Sequence, residues 1–131
     1  MKYLDTNVFV FALTPGPKEQ AARRILHKVL TGSMDATTSC LTWDEFVWVL
    51  RKELDASAII AESKKFLTFP HMTLLNVDTE VLELAQGLLE RYSLKPRDAL
   101  HAATAIKHGI HEIVSDDSDF DKVKEIKRIA L

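Results

Sequence analysis

Very little in this 131-residue sequence could staple or loosen a fold. A single cysteine, Cys40, excludes any internal disulfide and fits a reducing compartment, where the expected role is a small buried hydrophobe. Glycine and proline number four each, and no linker, repeat or low-complexity tract breaks the chain, so one domain over residues 1–131 is expected. A chain of that length buries roughly two thirds of the surface it exposes when unfolded, enough core without staples. No long apolar run is present. The longest near the start, "VFVFAL" (8–13), is too short and too polar at its flank for a signal sequence or a membrane span. A cytoplasmic protein with no membrane association is therefore expected.

Charge of one sign is lacking too. The 17 lysines and arginines nearly balance the 19 acids, for a net charge of −2, whereas nucleic-acid binders are usually basic. If a metal neutralised four of those acids, 15 would remain against 17 bases, so net charge excludes nothing by itself.

Secondary-structure signals alternate in period. "MKYLD" reads as a short strand ending in an acid, and "NVFVFAL" as a short apolar helix or a continuation of that strand. After the turn "TPGPK" (14–18), an amphipathic helix is expected from Lys18 to Leu30. "DATTSC" (35–40) is a strand candidate without a strong core signal. Helices follow at 42–54 and 56–69, then a buried strand at 72–78. The helix at 79–92 has Val81, Leu84, Ala85, Leu88 and Leu89 on one face. The helix at 96–109 opens on Pro96 and closes at Gly109. "EIVS" (112–115) is a strand, and 126–131 can supply a last one. Such alternation predicts an α/β fold with a mostly parallel sheet of four to five strands between helical layers. In such sheets the active crevice lies beyond the carboxyl ends of the strands.

Acids stand at those ends. Asp5 closes the first strand, and "SDDSDFD" puts Asp116, Asp117, Asp119 and Asp121 directly after "EIV". A calcium loop starting at Asp117 fails: Lys122 stands where glycine is needed and Arg128 where glutamate is. Asp98 falls in a helix's first turn, where a carboxylate can simply complement the helix dipole. Glu45 follows Thr42 by three residues, so "TWDE" has the form of a capping box. Taken together, the acids at strand ends and helix starts suggest one crevice.

Four stretches resemble the PIN-domain nucleases, specifically the small VapC-type ribonuclease toxins. They are "YLDTNVFV", "LTWDEFVWVL" (41–50), "PRDALHAATA" (96–105) and "IVSDDSDFDKV" (113–123). They occur in the family's order and cover essentially the whole chain. The resemblance implies a three-layer α/β/α fold and a ribonuclease that leaves a 5′-phosphate and a 3′-hydroxyl. Its catalytic and metal-holding acids would be Asp5, Glu45, Asp98 and Asp117, with Asp116 the rival for the fourth place. Ser115 would orient the neighbouring acid, and Asp119 would stand behind the ligands. Mg²⁺ or Mn²⁺ suits such a set, because clustered carboxylates repel until a cation relieves them. The implied partners are an RNA substrate, a cognate antitoxin protein and a second copy of the chain.

The residues themselves suggest further contacts. Thr6, Asn7 and Arg97 could each donate to phosphate. His101, three residues after Asp98 on the same helix face, is read as an orienting or packing residue rather than a ligand. The apolar run "FVWVL" (46–50) projects round more than one helix face, so Trp48 belongs either to the core or to a partner surface. Two rivals fit less well. An aspartyl-phosphate phosphatase needs a second acid where Asn7 stands. A receiver domain needs paired early acids, and Asp5 has no acidic neighbour. A catalytically silent PIN-like scaffold would be expected to have lost acids that this chain keeps.

Overall fold

The computed structural model describes residues Met1–Leu131. Five parallel strands form one sheet: β1 (Lys2–Leu4), β2 (Ala36–Ser39), β3 (Met72–Leu75), β4 (Glu112–Val114) and β5 (Lys127–Ile129). They lie in the order β3-β2-β1-β4-β5. Six helices connect them: α1 (Thr6–Leu13), α2 (Glu19–Leu30), α3 (Cys40–Leu50), α4 (Ala56–Leu67), α5 (Thr79–Arg91) and α6 (Pro96–Lys107). A short 3-10 turn spans Ser118–Lys122. The expected α/β architecture is the one observed, with the sheet entirely parallel.

Alternation along the central strand sorts the core into two layers. Tyr3, paired in register with Ile113, packs with α5 and α6 against Val81, Leu88 and the alanines of α6. Leu4, paired with Val114, faces the opposite way onto Val8, Phe9, Val29, Phe46 and Phe66. Phe9, Phe46 and Phe66 pack as a trio of rings 5.0–6.2 Å apart. Successive strand side chains point to opposite faces, so one apolar pair serves each layer.

The strand order reverses between β1 and β4. Connections leave β1 toward β2 on one side, and α6 returns the chain to β4 on the other. Helices cannot fill the gap above two strands that diverge in this way, which leaves a crevice at their carboxyl ends. Asp5 and Ser115 stand there, each one residue past its strand.

Several elements depart from expectation. "NVFVFAL" is helical, because Asp5 caps it: Asp5 Oδ1 accepts from the Thr6 amide at 2.7 Å. Helix α3 begins at Cys40 rather than Thr42, with Ser39 as its N-cap residue, so "TWDE" is not a capping box. Cys40 is exposed, in the first turn of α3, instead of buried. Strand β3 is an edge strand and only half-buried. On α5, Val81, Ala85 and Leu88 are buried while Leu84 and Leu89 face solvent, a narrower stripe than the periodicity suggests. Trp48 is 54% exposed and Trp43 39%, whereas Phe46 and Leu50 fill the core. The Arg51 guanidinium lies 4.6 Å over the Trp48 ring.

Candidate active site

Each acid arrives by a different local device. Asp5 is held at the β1–α1 junction by its capping bond and by its own amide, which donates to the Val114 carbonyl at 3.1 Å. Glu45 is delivered by a hydroxyl clamp. Thr42 donates to Thr38 Oγ1 at 2.6 Å, and Thr38 in turn donates to the Leu4 carbonyl at 2.7 Å. That ties the first turn of α3 to the end of β1. Glu45, one turn further on, then faces the same crevice. Asp98 stands in the first turn of α6, which Pro96 opens. Asp117 begins the 3-10 turn and accepts from the Asp119 amide at 2.9 Å. Phe120, fully buried, anchors that turn.

The four carboxylates line one pocket together with Thr6, Asn7, Val10 and Val49. Ser115 is its hub. The buried hydroxyl donates to Asp5 Oδ2 at 2.6 Å and accepts from Asn7 Nδ2 at 3.2 Å and from the Asp117 amide at 3.0 Å. Asn7 Nδ2 also donates to Asp5 Oδ2 at 3.2 Å. Thr6 Oγ1 donates to Glu45 Oε1 at 2.9 Å. Thr6 and Asn7, expected as phosphate donors, are thus committed to orienting acids. Arg97 is exposed beside Asp98 and has no ion-pair or hydrogen-bond partner within the chain.

The crowding of the last four aspartates is resolved by sending them apart. Asp116 is exposed and pairs with Lys18 at 3.3 Å, outside the pocket. Asp121 makes two bonds to the Arg128 guanidinium, at 2.9 and 3.0 Å. Only Asp117 and Asp119 turn toward Asp98. One carboxylate oxygen from each of Asp98, Asp117 and Asp119 lies within 4.8 Å of the others. Lys122 lies 3.0 Å from Asp119 Oδ1 and partly balances it.

A buried histidine faces the opposite side. His101 is 1% exposed; its Nε2 lies 2.5 Å from Glu45 Oε1 and 3.6 Å from Asp5 Oδ1. Its Nδ1 meets the Tyr3 hydroxyl at 2.6 Å. Burial works against a charge on this ring, but Tyr3, Glu45 and Asp5 push its pKa up to about 10. The sequence suggests an orienting or packing role for His101 and gives no sign of Tyr3. An interior strand position gave no sign that its hydroxyl has a buried partner on a helix.

Two halves result, and their acids titrate differently. Burial raises Asp5 most, against the opposing effects of His101, Ser115 and Thr6. Burial also acts on Glu45, but there the His101 bond and charge, the Thr6 bond and the Arg97 charge together hold the carboxyl below its usual range. Asp98 is pushed up to about 6 by burial and by the charges of Asp117, Asp5 and Asp119. Its Oδ2 is buried with no hydrogen-bond partner. A buried, unpartnered carboxylate oxygen facing other carboxylates is costly as an anion. A divalent cation would supply the missing partner, and an all-oxygen donor set suits Mg²⁺ or Mn²⁺. The residues present therefore fit such an ion.

The chain is similar to known proteins in sequence and in fold. A family model described as the PIN domain matches residues 2–126. Ribonuclease VapC46 of Mycobacterium tuberculosis is 33% identical over 108 residues, covering 82% of this chain and 76% of that one. Ribonuclease VapC6 of Methanocaldococcus jannaschii is 31% identical over 88 residues, which span 63% of this chain and 58% of that relative's length. Among solved structures, VapC20 of Mycobacterium tuberculosis, described as a sarcin–ricin loop cleaving toxin, superposes with a TM-score of 0.78 at 19% identity, covering 95% of each chain. A toxin–antitoxin complex from Klebsiella pneumoniae superposes with a TM-score of 0.71 at 19% identity, covering 97% of this chain and 96% of that one.

Proposed function

This chain belongs to the PIN domain family, and from that membership and the pocket's geometry we propose that it is a metal-dependent ribonuclease, the toxin of a toxin–antitoxin pair. The observation that carries the reading is the convergence of Asp5, Glu45, Asp98 and Asp117 on one pocket, with Asp98 Oδ2 left without a partner.

Asp5, Glu45, Asp98 and Asp117 would hold the ion between them, with Asp119 close to Asp98 and Asp117. When bound, Mg²⁺ or Mn²⁺ supplies a more acidic water and screens the charge of the phosphate and the leaving oxygen. The chain's own residues do the rest. Ser115 and Asn7 keep Asp5 turned inward. Glu45, held as an anion, has Oε1 occupied by Thr6 and His101, while Oε2 makes no bond within the chain. Oε2 is the free acceptor for a proton from an attacking water. Arg97, exposed at the rim, meets the RNA phosphate.

Two kinds of partner complete the proposal. An apolar groove lined by Phe9, Leu13, Leu26, Phe46, Phe66 and Phe69 is suited to a segment of an antitoxin. The exposed Trp43 and Trp48 suit a contact with a second copy of the chain. No helix is long and apolar enough to cross a membrane, and we place the protein in the cytoplasm.

The test is cleavage of RNA in Mg²⁺ or Mn²⁺ by the parent, with and without chelator, alongside Asp5→Asn. Activity is expected to vanish with the chelator and with the substitution. Cleavage that survives both would end the metal mechanism, and a parent that binds RNA without cutting it would favour a silent scaffold.

A further inference from the structure

We propose that Arg128 is a positioning residue for the nuclease: from the edge strand β5 it buckles the loop 115–121 shut, and so holds Asp117 and Asp119 up to Asp98. The inference rests on the metal-dependent reading above and adds to it a residue outside the pocket.

Arg128 stands in β5, in register with Ile113 of β4, and is not among the residues that line the pocket. Its guanidinium grips both ends of one loop. Nη1 donates to the Ser115 carbonyl at 3.2 Å, while Nε and Nη2 donate to the two carboxylate oxygens of Asp121 at 2.9 and 3.0 Å. The next residue of the strand, Ile129, accepts from the Ser115 amide at 3.1 Å, so β5 holds that end of the loop twice. A planar fork fixes the separation of the groups it bonds, which a flexible ammonium does not. Asp117 and Asp119 lie between the two grips.

The loop needs such a restraint. One oxygen from each of Asp98, Asp117 and Asp119 comes within 4.8 Å of the others, and the charges of Asp117 and Asp119 help to push the Asp98 carboxyl up. Without a cation, that repulsion drives the loop away from α6. Inside the loop it is opposed by the Asp117 amide on Ser115 Oγ, the Asp119 amide on Asp117 Oδ1 and the buried Phe120 ring. Arg128 closes the loop from outside, and its charge attracts Asp117 as well. The Asp121 side chain is 55% exposed, and exposed ion pairs contribute little to global stability. Removing the buckle therefore costs loop position rather than folding.

The test compares the whole chain with its Arg128→Gln and Arg128→Lys variants. Amide hydrogen exchange in the metal-free protein reads the loop directly. The Asp117 and Asp119 amides are expected to exchange about tenfold or more faster in Arg128→Gln, while the amides of β1 and β4 keep the parent's rates. The Mn²⁺ concentration at half-saturation, followed by calorimetry and by RNA cleavage, is expected to rise by a similar factor. KM for RNA should stay unchanged, because Arg128 stands outside the pocket. A smaller folded fraction would lower activity without moving the Mn²⁺ midpoint. Arg128→Lys keeps the charge without the fork and is expected to fall between parent and Arg128→Gln. Parent-like exchange or a parent-like Mn²⁺ midpoint in a folded Arg128→Gln would overturn the proposal. If Arg128→Gln does not fold, Asp121→Ala decides, since it frees the far end of the loop and leaves β5 intact. Faster exchange with a raised midpoint then supports the buckle, and parent-like values overturn it. A parent that neither binds Mn²⁺ nor cleaves RNA would bring down the metal-dependent reading, while the exchange rates would still decide whether Arg128 holds the loop.

Discussion

Ser115 donates from Oγ to Asp5 Oδ2 at 2.6 Å, joining residues 110 positions apart at the ends of β4 and β1. That one hydroxyl also accepts from Asn7 and from the Asp117 amide, so three parts of the pocket share it.

Ser115→Ala should leave Asp5 Oδ2, Asn7 and the Asp117 amide short of a partner in a buried place. A loss of about 1–3 kcal/mol in stability is expected, the scale for leaving buried polar groups unpaired. Urea denaturation of parent and variant measures it. An unchanged midpoint would show that these groups find other partners.

Asp98→Asn should separate stability from function. The neutral amide removes the repulsion from Asp117, Asp5 and Asp119, so metal-free stability should hold or rise. Ribonuclease activity should fall by about a hundredfold or more, the scale on which single catalytic groups act. Melting temperature with and without Mn²⁺, read beside an RNA cleavage assay, checks both halves.

The pH dependence follows from the same group. Asp98 titrates at about 6 in the folded, metal-free chain against an ordinary value of 3.8. A folded value raised above the unfolded one contributes stability that is full below the unfolded pKa and lost as pH rises through the folded one. The stability of the parent relative to Asp98→Asn should therefore decline between pH about 4 and about 6. Mn²⁺ affinity should run the opposite way, rising across that window as the competing proton leaves. Denaturation and calorimetric series in pH measure the two slopes, and flat profiles would contradict the argument.

Asp116 and Asp117 are neighbours with different surroundings. Asp116→Asn removes only a solvent-exposed pair with Lys18, worth at most about 1 kcal/mol, and should cut RNA at close to the parent's rate. Asp117→Asn should lose activity on the scale of Asp98→Asn. Equal losses from the two would mean that the pocket draws on both.

Trp48→Ser should fold, because the ring is more than half exposed and the core below it is made by Phe46 and Leu50. Far-UV circular dichroism should match the parent, while sedimentation should show a lighter species if Trp48 seals a dimer contact. An unfolded variant would return Trp48 to the core.

Much of this was legible in the sequence, for local reasons. The strand–helix alternation, the Pro96 start of α6, and acids at the ends of β1 and β4 all follow from periodicity and turn chemistry. The pairing of Glu45 with Thr42 misled, because the spacing of a capping box also arises inside a helix that starts earlier. Cys40 misled as well: hydrophobicity states a preference for burial, and packing decides whether it is met. Leu84 and Leu89 were counted into a face wider than the neighbouring helix covers.

By itself the sequence determined which residues carry charge, where the chain turns, and that strands and helices take turns around an acid-rich pattern. Those are matters of side-chain chemistry and of spacing along one local stretch. Only the tertiary structure decided that Asp116 leaves for Lys18 while Asp117 stays, that Thr6 and Asn7 serve the acids, and that Tyr3 holds His101 against Glu45. Each of those depends on distances between segments far apart in the chain. Such distances are set by how the sheet orders its strands, and no local pattern encodes them.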